Sequence, residues 1–524
     1  MHLKMNSPAV AHHGKTVIGF NWIGGKELEG DLPSFDAKSA VDTRDTVGIF
    51  PECGERDVEK AAKAAAAAFR TWSACPAPAR GEVIGRIGAA LAKHKAAVAA
   101  VITREVGKPP REALAEVQET IDLCRFFEGE GLRPGQADPH SRRRPLGVCA
   151  ILAGNSSPLA ASCWKLIPAL LYGNTVVWKP SVNAPTTAYL LIRCMMDAGL
   201  APGAVNVVNG KGRTGCGKFF LAGIDKGFYQ KFSFTGSTAL GRIVGELAGR
   251  NLMVPSLELG GRNPMIVMPD CDLDRAVASA LAGSFGCAGQ HRTALANLIL
   301  HRDVAAAFKA RFLEAVAGIT IGNPITDPEV FYGPMINARF AKGFEEHWAM
   351  GRADGARLLG GGARWTEENR TARVRGFISK GFYMQPCVWD EVTPEMKLFQ
   401  TEVFGPTVNL ATVDSFDQAM AYANGTPYGL VSHLHSENRE WIERFKRESN
   451  AGVCAINGAV GTAPNLPFGG TGWSGNGACE IGGRVEAGYT RWHAVLDDAE
   501  DAPNPQGPEH ASVHPYEASH WDRL

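Results

Sequence analysis

The sequence lacks a surplus of either charge, since 54 lysine and arginine residues balance 54 aspartate and glutamate residues. This balance excludes the general electrostatic attraction that draws basic proteins to nucleic acids or to anionic membranes. No apolar run reaches transmembrane length, and the N-terminus lacks the apolar stretch of a signal peptide. We therefore expect a cytoplasmic protein whose partner is a small molecule, with no nucleic acid and no membrane.

Paired cysteine motifs are missing as well. The twelve cysteines lie far apart, with no CxxC pair and no Cys/His cluster at the spacing of metal ligands. This pattern favours reduced thiols in the protein core over disulfides or a zinc site. The sequence therefore predicts no metal site.

The chain has enough apolar material for two or three domains, because 45% of its 524 residues are hydrophobic. Apolar residues at helical spacing predict helices over 57–132. The GKPP turn at 107–110 separates two of these helices, because proline removes a helix hydrogen bond.

Short β-branched runs alternate with helical segments after residue 144, which is typical of βαβ units in a parallel sheet. The first series of predicted strands covers 147–153, 174–178, 204–208 and 232–235. The second series covers 264–268, 298–301, 408–411 and 453–457. We therefore expect an α/β fold with two parallel-sheet domains.

Two segments, 131–144 and 483–496, fit neither series of strands. Arms of this kind commonly add a strand to the sheet edge of a neighbouring copy, so they predict a homo-oligomer, either a dimer or a dimer of dimers. The segment 498–524 is rich in proline, histidine and acidic residues, and we expect an irregular tail there.

A set of motifs follows in a fixed order, and the first is GNTVVWKPS at 173–181. It puts Lys179 and Ser181 just past the end of an apolar strand, at the edge where open α/β sheets bind ligands. Lys179 suits ribose hydroxyls or a phosphate there, although a lysine at a strand end is also common as a solvated charge.

The second motif is FTGSTALG at 234–241, a strand followed by a turn of small residues that opens a helix. The free N–H groups and the dipole of a helix start favour a pyrophosphate near Gly236 and Ser237. An ordinary tight turn between a strand and a helix has the same pattern.

The third motif, LELGGRNP at 257–264, places Glu258 between apolar residues. Burial raises the pKa of a carboxyl group, so this glutamate is a candidate general base near neutral pH. Three further motifs complete the set: GQHRTA at 289–294, EVFGP at 402–406 and NLPFGGTGWSGNG at 465–477.

The order and spacing of these motifs resemble the aldehyde dehydrogenase superfamily, and most of all its semialdehyde-oxidising branches, over residues 57–496. The resemblance implies an NAD(P)-binding domain of variant Rossmann type at 1–130 and 145–257, and a catalytic-type domain at 258–477. It also implies oligomerisation arms at 131–144 and 478–497, followed by the tail at 498–524.

The same resemblance implies that the cofactor is NAD or NADP. Lys179 and Glu402 are expected to bind the two ribose hydroxyl pairs, and Phe404 to lie beside the nicotinamide ribose. The pyrophosphate is expected at Gly236 and Ser237. The remaining candidates for the cofactor site are Ser181 and Leu259.

One departure from the family concerns the choice of cofactor. The family commonly continues KPS with a glutamate that binds the adenosine 2′-hydroxyl, and here that position is Val182. A 2′-phosphate therefore meets less repulsion, and both NAD and NADP stay open.

The catalytic motifs depart further from the family. The family motif reads Gly-Gln-x-Cys, and Arg292 stands at the position of its nucleophilic cysteine. A guanidinium group stays protonated and is no nucleophile. Glu258 matches the family's general base. Ser156 takes the place of the asparagine that holds the oxyanion, unless a shift of one residue lets Asn155 serve.

Two side chains near Arg292 are candidate replacements for the nucleophile. Cys287 lies five positions earlier, although a buried structural thiol fits its sequence context equally. His291 is a candidate base that would act on a hydrated aldehyde, and a structural or solvated loop histidine has the same pattern.

The charge of Arg292 leads to a further prediction. Oxidised nicotinamide carries a positive ring charge, so an unpaired guanidinium beside it would oppose binding. We therefore expect Arg292 to pair with Glu258, and the pair to depress the pKa of that carboxyl group.

Three functions stay open at this point. The first is an oxidoreductase that transfers hydride between NAD(P) and an aldehyde- or semialdehyde-derived substrate without the usual thioester. The second is a catalytically inactive NAD(P)-binding scaffold or sensor. The third is a non-redox enzyme that uses Arg292 to bind an anionic substrate.

Overall fold

The computed structural model describes residues 15–133, 141–212, 214–458 and 463–496. The predicted tail at 498–524 lies outside the described residues, as does most of the first predicted arm before residue 141. Two seven-stranded sheets organise the described chain.

Four helices cover the region where helical spacing predicts them, so that prediction is confirmed. They are α1 (Glu55–Ala74), α2 (Ala77–Lys93), α3 (Lys95–Val106) and α4 (Pro110–Gly131). Gly107 ends α3 in the left-handed conformation, with a φ of 78°, where a side chain would be strained. Pro110 begins α4, because proline at a first helical position sacrifices no helix hydrogen bond.

Five short strands precede α1, and the sequence analysis does not predict them. The strands are β1 (Val17–Ile18), β2 (Asn21–Ile23), β3 (Lys26–Leu28), β4 (Leu32–Lys38) and β5 (Thr46–Glu52). Three of them form a sheet in the order β1-β5-β4, whereas β2 and β3 extend the first large sheet. Three of them, β1, β2 and β3, have only two or three residues, too few for an alternating pattern, and β5, with seven, does not alternate in its burial.

The first large sheet has the strand order β11-β10-β7-β8-β9-β2-β3. Its parallel strands are β7 (Val148–Leu152), β8 (Thr175–Lys179), β9 (Val205–Val207), β10 (Lys231–Thr235) and β11 (Ser256–Glu258). The helices α5 (Ala160–Leu171), α6 (Pro185–Asp197), α7 (Cys216–Asp225) and α8 (Thr238–Arg250) connect them. Leu152 pairs with Lys179 and with Phe234, so the carboxyl ends of three strands meet at one edge. The first series of predicted strands is confirmed.

The second large sheet has the order β15-β17-β18-β13-β12-β20-β21, and only β15, at one edge, runs antiparallel to its neighbour. Its strands are β12 (Asn263–Val267), β13 (Leu295–His301), β15 (Arg357–Gly360), β17 (Cys387–Asp390), β18 (Thr407–Val413), β20 (Val431–His435) and β21 (Val453–Ile456). The second series of predicted strands is confirmed, and the structure adds β15, β17 and β20.

Six helices accompany the second sheet: α9 (Leu273–Phe285), α10 (Arg302–Ala317), α11 (Ala338–Ala353), α12 (Lys397–Gln400), α13 (Phe416–Ala423) and α14 (Arg439–Glu448). A 3-10 turn at Gly286–Gly289 follows α9 directly. Two small pairs of strands lie outside the sheets: β14 (Ile321–Gly322) with β16 (Val374–Arg375), and β19 (Tyr428–Gly429) with β22 (Thr471–Gly472).

The two predicted arms pair with each other as a ribbon of β6 (Ser141–Pro145) and β23 (Thr490–Ala494), which follows the short helix α15 (Glu486–Tyr489). Arg143 lies opposite Trp492, with its guanidinium 4.5 Å from the centre of that ring. Trp492 is nevertheless 58% exposed. The part that this ribbon plays in oligomerisation stays a prediction.

Apolar side chains are buried in clusters that involve both large sheets and their helices. All twelve cysteines are free and eight of them are buried. Among the described residues, no helix combines the length and the apolar content that crossing a membrane requires.

We predict that the chain forms a dimer or a dimer of dimers through the β6–β23 ribbon. Light scattering is expected to give a multiple of the 56.0 kDa chain mass. Trp492→Glu should shift the assembly toward the monomer, because it puts a charge on an exposed aromatic surface of the ribbon. Trp473→Glu, at another exposed tryptophan, is the matched control. A stable wild-type monomer at micromolar concentration would contradict the prediction.

Candidate active site

The carboxyl edge of the first sheet carries the residues that the sequence predicts for a cofactor. Lys179 is the last residue of β8, and its side chain is buried. Its Nζ donates a hydrogen bond to the Pro180 carbonyl at 3.3 Å. Burial lowers the pKa of Lys179, while the nearby Glu52 raises it. Ser181 follows at this edge, where its Oγ accepts a hydrogen bond from the Asn183 N–H at 3.2 Å.

The turn between β10 and α8 contains the predicted pyrophosphate site. Ser237 is the N-cap of α8, and its Oγ accepts a hydrogen bond from the Leu240 N–H at 3.4 Å. Gly236 donates its N–H to the Glu258 carbonyl at 3.1 Å. A Cβ on Gly236 would lie 2.4 Å from the Phe234 ring, so the turn requires glycine here. The start of α8 therefore has the dipole and the N–H groups that suit an anion.

The three remaining predicted cofactor residues lie on loops after β11 and α12. Leu259 is buried, and its N–H donates to the Ser474 carbonyl at 2.8 Å. The Glu402 carboxylate accepts a hydrogen bond from the Gly261 N–H at 3.2 Å, and burial raises the pKa of Glu402 to about 7. The Phe404 ring lies 5.4 Å from that of Phe340.

Glu258, at the end of β11, is fully buried and forms an ion pair with Arg292. Arg292 Nη1 donates to Glu258 Oε2 at 2.9 Å, and the Gly470 N–H donates to Glu258 Oε1 at 3.3 Å. The predicted pair between these two side chains is thus confirmed.

The prediction that the pair depresses the pKa of Glu258 is wrong, whereas the prediction from the third motif that burial raises it is confirmed. Burial raises the pKa of Glu258 to about 8, although the charge of Arg292 lowers it and that of Glu480 raises it. The cost of an ionised carboxylate without water outweighs the attraction of one guanidinium group. Glu258 therefore changes its protonation state at mildly alkaline pH, and the ion pair does not remove it as a candidate base.

Two aromatic rings hold the other side of the guanidinium group. The Arg292 Cζ lies 5.1 Å from the centre of the Trp164 ring and 4.8 Å from that of Phe468. Close by, Lys165 forms an ion pair with Glu480, and both side chains are fully buried. Arg292 is thus fixed by one carboxylate and two π faces.

A cavity of about 350 Å³ opens beside Arg292. Its wall includes Ser156, Trp164, His291, Arg292 and His433. The predicted alternatives for the oxyanion donor thus separate, because Ser156 lines the cavity and Asn155 does not line it. The Asn155 Nδ2 is buried without a hydrogen-bond partner among the described residues.

The pKa values of the two candidate replacements, His291 and Cys287, do not suit a general base or a nucleophile at neutral pH. Burial and the nearby Lys108 lower the pKa of His291 to about 3, so its ring is neutral and a weak base at neutral pH. Cys287 lies in the 3-10 turn after α9, and burial raises the pKa of its thiol, although Lys108 lowers it. A protonated thiol is a poor nucleophile.

The fold brings a third side chain to this pair. Glu112, in the first turn of α4, accepts a hydrogen bond from the Cys287 N–H at 3.1 Å. Ligand-type atoms of Glu112, Cys287 and His291 all lie within 4.8 Å of one another. The sequence analysis missed this cluster, because Glu112 is distant from Cys287 and His291 in the chain.

Comparison with known proteins agrees with this architecture. The model of the aldehyde dehydrogenase family matches residues 29–495. The chain belongs to the aldehyde dehydrogenase family. The predicted resemblance at the level of the superfamily and of the fold is therefore confirmed.

Three relatives show how closely this aldehyde dehydrogenase family chain follows known members. The alpha-ketoglutaric semialdehyde dehydrogenase of Bacillus subtilis strain 168 is 33% identical over 464 residues, or 86% of this chain and 91% of the relative. The crystal structure of an NAD-dependent aldehyde dehydrogenase from Sinorhizobium meliloti has a TM-score of 0.86 and 28% identity, covering 94% of this chain and 97% of that one. Betaine aldehyde dehydrogenase from Staphylococcus aureus, solved in complex with NAD+, has a TM-score of 0.86 and 26% identity, with the same two coverages.

The sequence analysis missed several residues that lie around Arg292 and Glu258. Trp164 and Lys165 lie in the apolar helix α5, where a lysine among apolar residues is the only signal of a buried ion pair. Phe468 lies in the recognised NLPFGGTGWSGNG motif, but nothing local indicates that its ring meets Arg292. Glu480 follows that motif and carries no pattern of its own.

We predict that Arg292→Leu destabilises the protein more strongly as pH rises. Glu258 in the folded wild type keeps its proton up to about pH 8, whereas in the unfolded chain it loses the proton near pH 4.5. The free energy of unfolding therefore decreases as the pH rises from the lower to the higher of these values. Without Arg292 the folded pKa rises further and the loss continues to higher pH. The cost of breaking a buried pair is up to about 3–5 kcal/mol.

Urea denaturation at about pH 6 and about pH 9 measures this difference. The variant Arg292→Leu with Glu258→Gln should remove most of the pH dependence of the difference, because no ionisable carboxyl group is then left unpaired. The exposed Arg339→Leu is the control for loss of an arginine. An equal effect of Arg292→Leu at both pH values would contradict the prediction.

Proposed function

We propose that this chain is an NAD(P)-dependent oxidoreductase that oxidises the hydrate of a small aldehyde or semialdehyde without forming a thioester. The observation that carries the proposal is the ion pair between the buried Glu258 and Arg292, of which Arg292 lines the cavity. A guanidinium group stands where the family motif predicts the nucleophilic cysteine, and the predicted general base is retained next to it. Thioester chemistry has no nucleophile here, whereas proton removal still has an acceptor.

The residues at the carboxyl edge of the first sheet fit a dinucleotide. The opening turn of α8 at Gly236 and Ser237 suits the pyrophosphate, because the first N–H groups of a helix have no partner within it. The buried ammonium group of Lys179 and the buried carboxyl group of Glu402 suit ribose hydroxyls. The staphylococcal relative solved with NAD+ supports the same assignment.

NAD and NADP both fit the proposed site. Val182 packs against the apolar cluster of Phe35, Ala37 and Phe50. A valine at this position does not repel a 2′-phosphate, and Lys179 still offers donors to ribose hydroxyls.

Glu258 is the proposed base of the reaction. When bound, the oxidised dinucleotide supplies the hydride acceptor, so the aldehyde hydrate is released as a carboxylic acid. The Glu258 carboxylate accepts the hydroxyl proton of the hydrate, and a pKa of about 8 makes this form available at mildly alkaline pH. The reaction is thus balanced without a covalent bond to the protein.

Arg292 is proposed to stabilise the negative oxygen that develops as the proton leaves. A guanidinium group has five N–H donors, and Glu258 accepts from only one of its terminal nitrogens in the described structure. Trp164 and Phe468 keep the group in place, which limits the cost of ordering it.

The cavity suits a small substrate, and the name of the Bacillus relative supports a semialdehyde.

A second candidate is a catalytically inactive NAD(P)-binding scaffold or sensor. The ion pair between Glu258 and Arg292 favours this candidate, because the carboxylate must weaken its contact with Arg292 before it can accept a proton from a substrate. The non-redox alternative has less support, because it gives no part to the residues at the carboxyl edge of the first sheet that suit a dinucleotide.

We predict that NAD or NADP binds saturably and that Lys179→Ala weakens the binding about tenfold or more, because a hydrogen bond to a charged group contributes about 1.5–3 kcal/mol. Calorimetric titration measures the affinity. Lys63→Ala, at an exposed lysine on α1, should leave it unchanged. If neither dinucleotide binds at millimolar concentration, the cofactor assignment fails.

We predict that iodoacetamide does not block aldehyde-dependent formation of NAD(P)H, because no thiolate takes part in the reaction. Absorbance of the reduced cofactor with a panel of semialdehydes measures the rate. A burst that thiol reagents abolish would overturn the proposal, and Cys287→Ser would then test the first candidate thiol. Dinucleotide binding with no hydride transfer for any substrate of the panel would favour the scaffold.

The oxyanion donor gives a complementary test. Arg292→Cys alone is expected to gain little thioester activity, because Ser156 stands where the family has asparagine. Adding Ser156→Asn should raise the rate about 100-fold above that of the single variant, which is the usual effect of one oxyanion donor. Equal rates of the two variants would show that Ser156 does not occupy that position.

A further inference from the structure

Three side chains with different ligand atoms meet next to the cavity, and two of them line it. Glu112 contributes a carboxylate from the first turn of α4, Cys287 a sulfur from the 3-10 turn, and His291 an imidazole nitrogen shortly after it. One ligand atom from each lies within 4.8 Å of the other two. Glu112 and Cys287 are 175 positions apart, so only the packing of α4 against the turn creates the cluster.

We propose that Glu112, Cys287 and His291 form a binding site for a thiophilic divalent cation, with Zn²⁺ as the best fit. Sulfur, imidazole nitrogen and carboxylate oxygen are the three ligand types that zinc accepts in proteins. Ligand atoms around tetrahedral zinc lie about 3.5 Å apart, given metal–ligand distances of about 2.0–2.3 Å. Movements of about 1 Å bring the present atoms to that geometry.

The carboxyl group of Glu112 is prepared for such a ligand. Its Oε1 accepts the Cys287 N–H at 3.1 Å, which orients the group. Its Oε2 is buried and has no hydrogen-bond partner among the described residues. A buried oxygen acceptor without a partner is costly, and a cation would satisfy it.

The charges around the cluster accommodate a dication. Lys108 is the buried cation near all three side chains, and it is paired with Glu116 at 2.5 Å. With Cys287 as a thiolate, it and the two glutamates together carry three negative charges. These balance Lys108 and a divalent metal ion, so the site has no net charge once the metal is bound.

Metal binding changes the protonation of its ligands. A metal ion binds imidazole in its neutral form and cysteine as the thiolate, so it must displace the proton of the Cys287 thiol. Binding is therefore expected to release about one proton per chain.

Three protein ligands leave a fourth position of a tetrahedral site open. Glu112 and His291 both line the cavity that also contains Arg292 and Ser156. The open position is thus expected to face this space and to take a water molecule or an oxygen of a small molecule. The site departs from the sequence expectation of no metal, and it does not depend on the proposed dehydrogenation.

Titration of the metal-free full-length protein with Zn²⁺ and Co²⁺, without dinucleotide, tests the proposal. We expect one ion per chain, proton release, and a thiolate-to-cobalt charge-transfer band. Glu112→Gln, Cys287→Ser and His291→Gln should each lower the affinity about 100-fold. Cys454→Ser is the matched control, because Cys454 is exposed and distant from the cluster in the sequence. This control should bind as the wild type does.

The opposite results are equally clear. No stoichiometric binding to the wild type, or binding that Cys287→Ser leaves unchanged, would overturn the site. If a variant fails to fold, the wild-type spectrum decides, because bound Co²⁺ without a thiolate band excludes Cys287 as a ligand. Titration with NAD(P) on the same samples separates the failure of this site from the failure of the proposed function.

Discussion

The ion pair between Glu258 and Arg292 is the interaction on which the rest of the candidate site depends. Glu258 has no exposed surface, and burial by itself opposes its ionised form. The guanidinium group at 2.9 Å offsets part of that cost, and the pKa of Glu258 comes to about 8. A fully buried carboxyl group thus stays able to change its protonation state at mildly alkaline pH. Any chemistry in the adjacent cavity has to work through this pair or around it.

Other buried charges near the cavity are also paired. Lys165 meets Glu480, and Lys108 meets Glu116, each in an interior that excludes water. Loss of one partner from such a pair is strongly destabilising, so substitutions at either residue of a pair are constrained. An arginine at the position predicted for the nucleophile is tolerated here because it has a carboxylate and two aromatic faces as partners.

The departures from the family pattern that the sequence predicts lie at three separate places, Ser156, Val182 and Arg292. Cys287, His291 and Arg292 all lie within or just after the 3-10 turn that follows α9. The carboxyl edge of the first sheet, where Lys179 ends β8 and Ser237 caps α8, keeps the features that suit a dinucleotide. The molecule therefore combines a cofactor edge that suits a dinucleotide with a cavity whose wall includes His291 and Arg292. The proposed hydride transfer and the proposed cation site both follow from that combination.

The amino-acid sequence by itself determined the α/β class, both series of parallel strands and the pairing of Arg292 with Glu258. The strands could be predicted because hydrophobic periodicity is a local property of the sequence. The pairing could be predicted because the motifs of Glu258 and Arg292 face each other in the family that the sequence resembles. Tertiary structure decided between the two opposed expectations for the Glu258 pKa, because the balance of burial against pairing is a property of the whole fold. It also decided that Trp164 stacks on Arg292 and that Glu112 meets Cys287. Those contacts join distant parts of the chain, and no local pattern encodes which helix face packs against which turn.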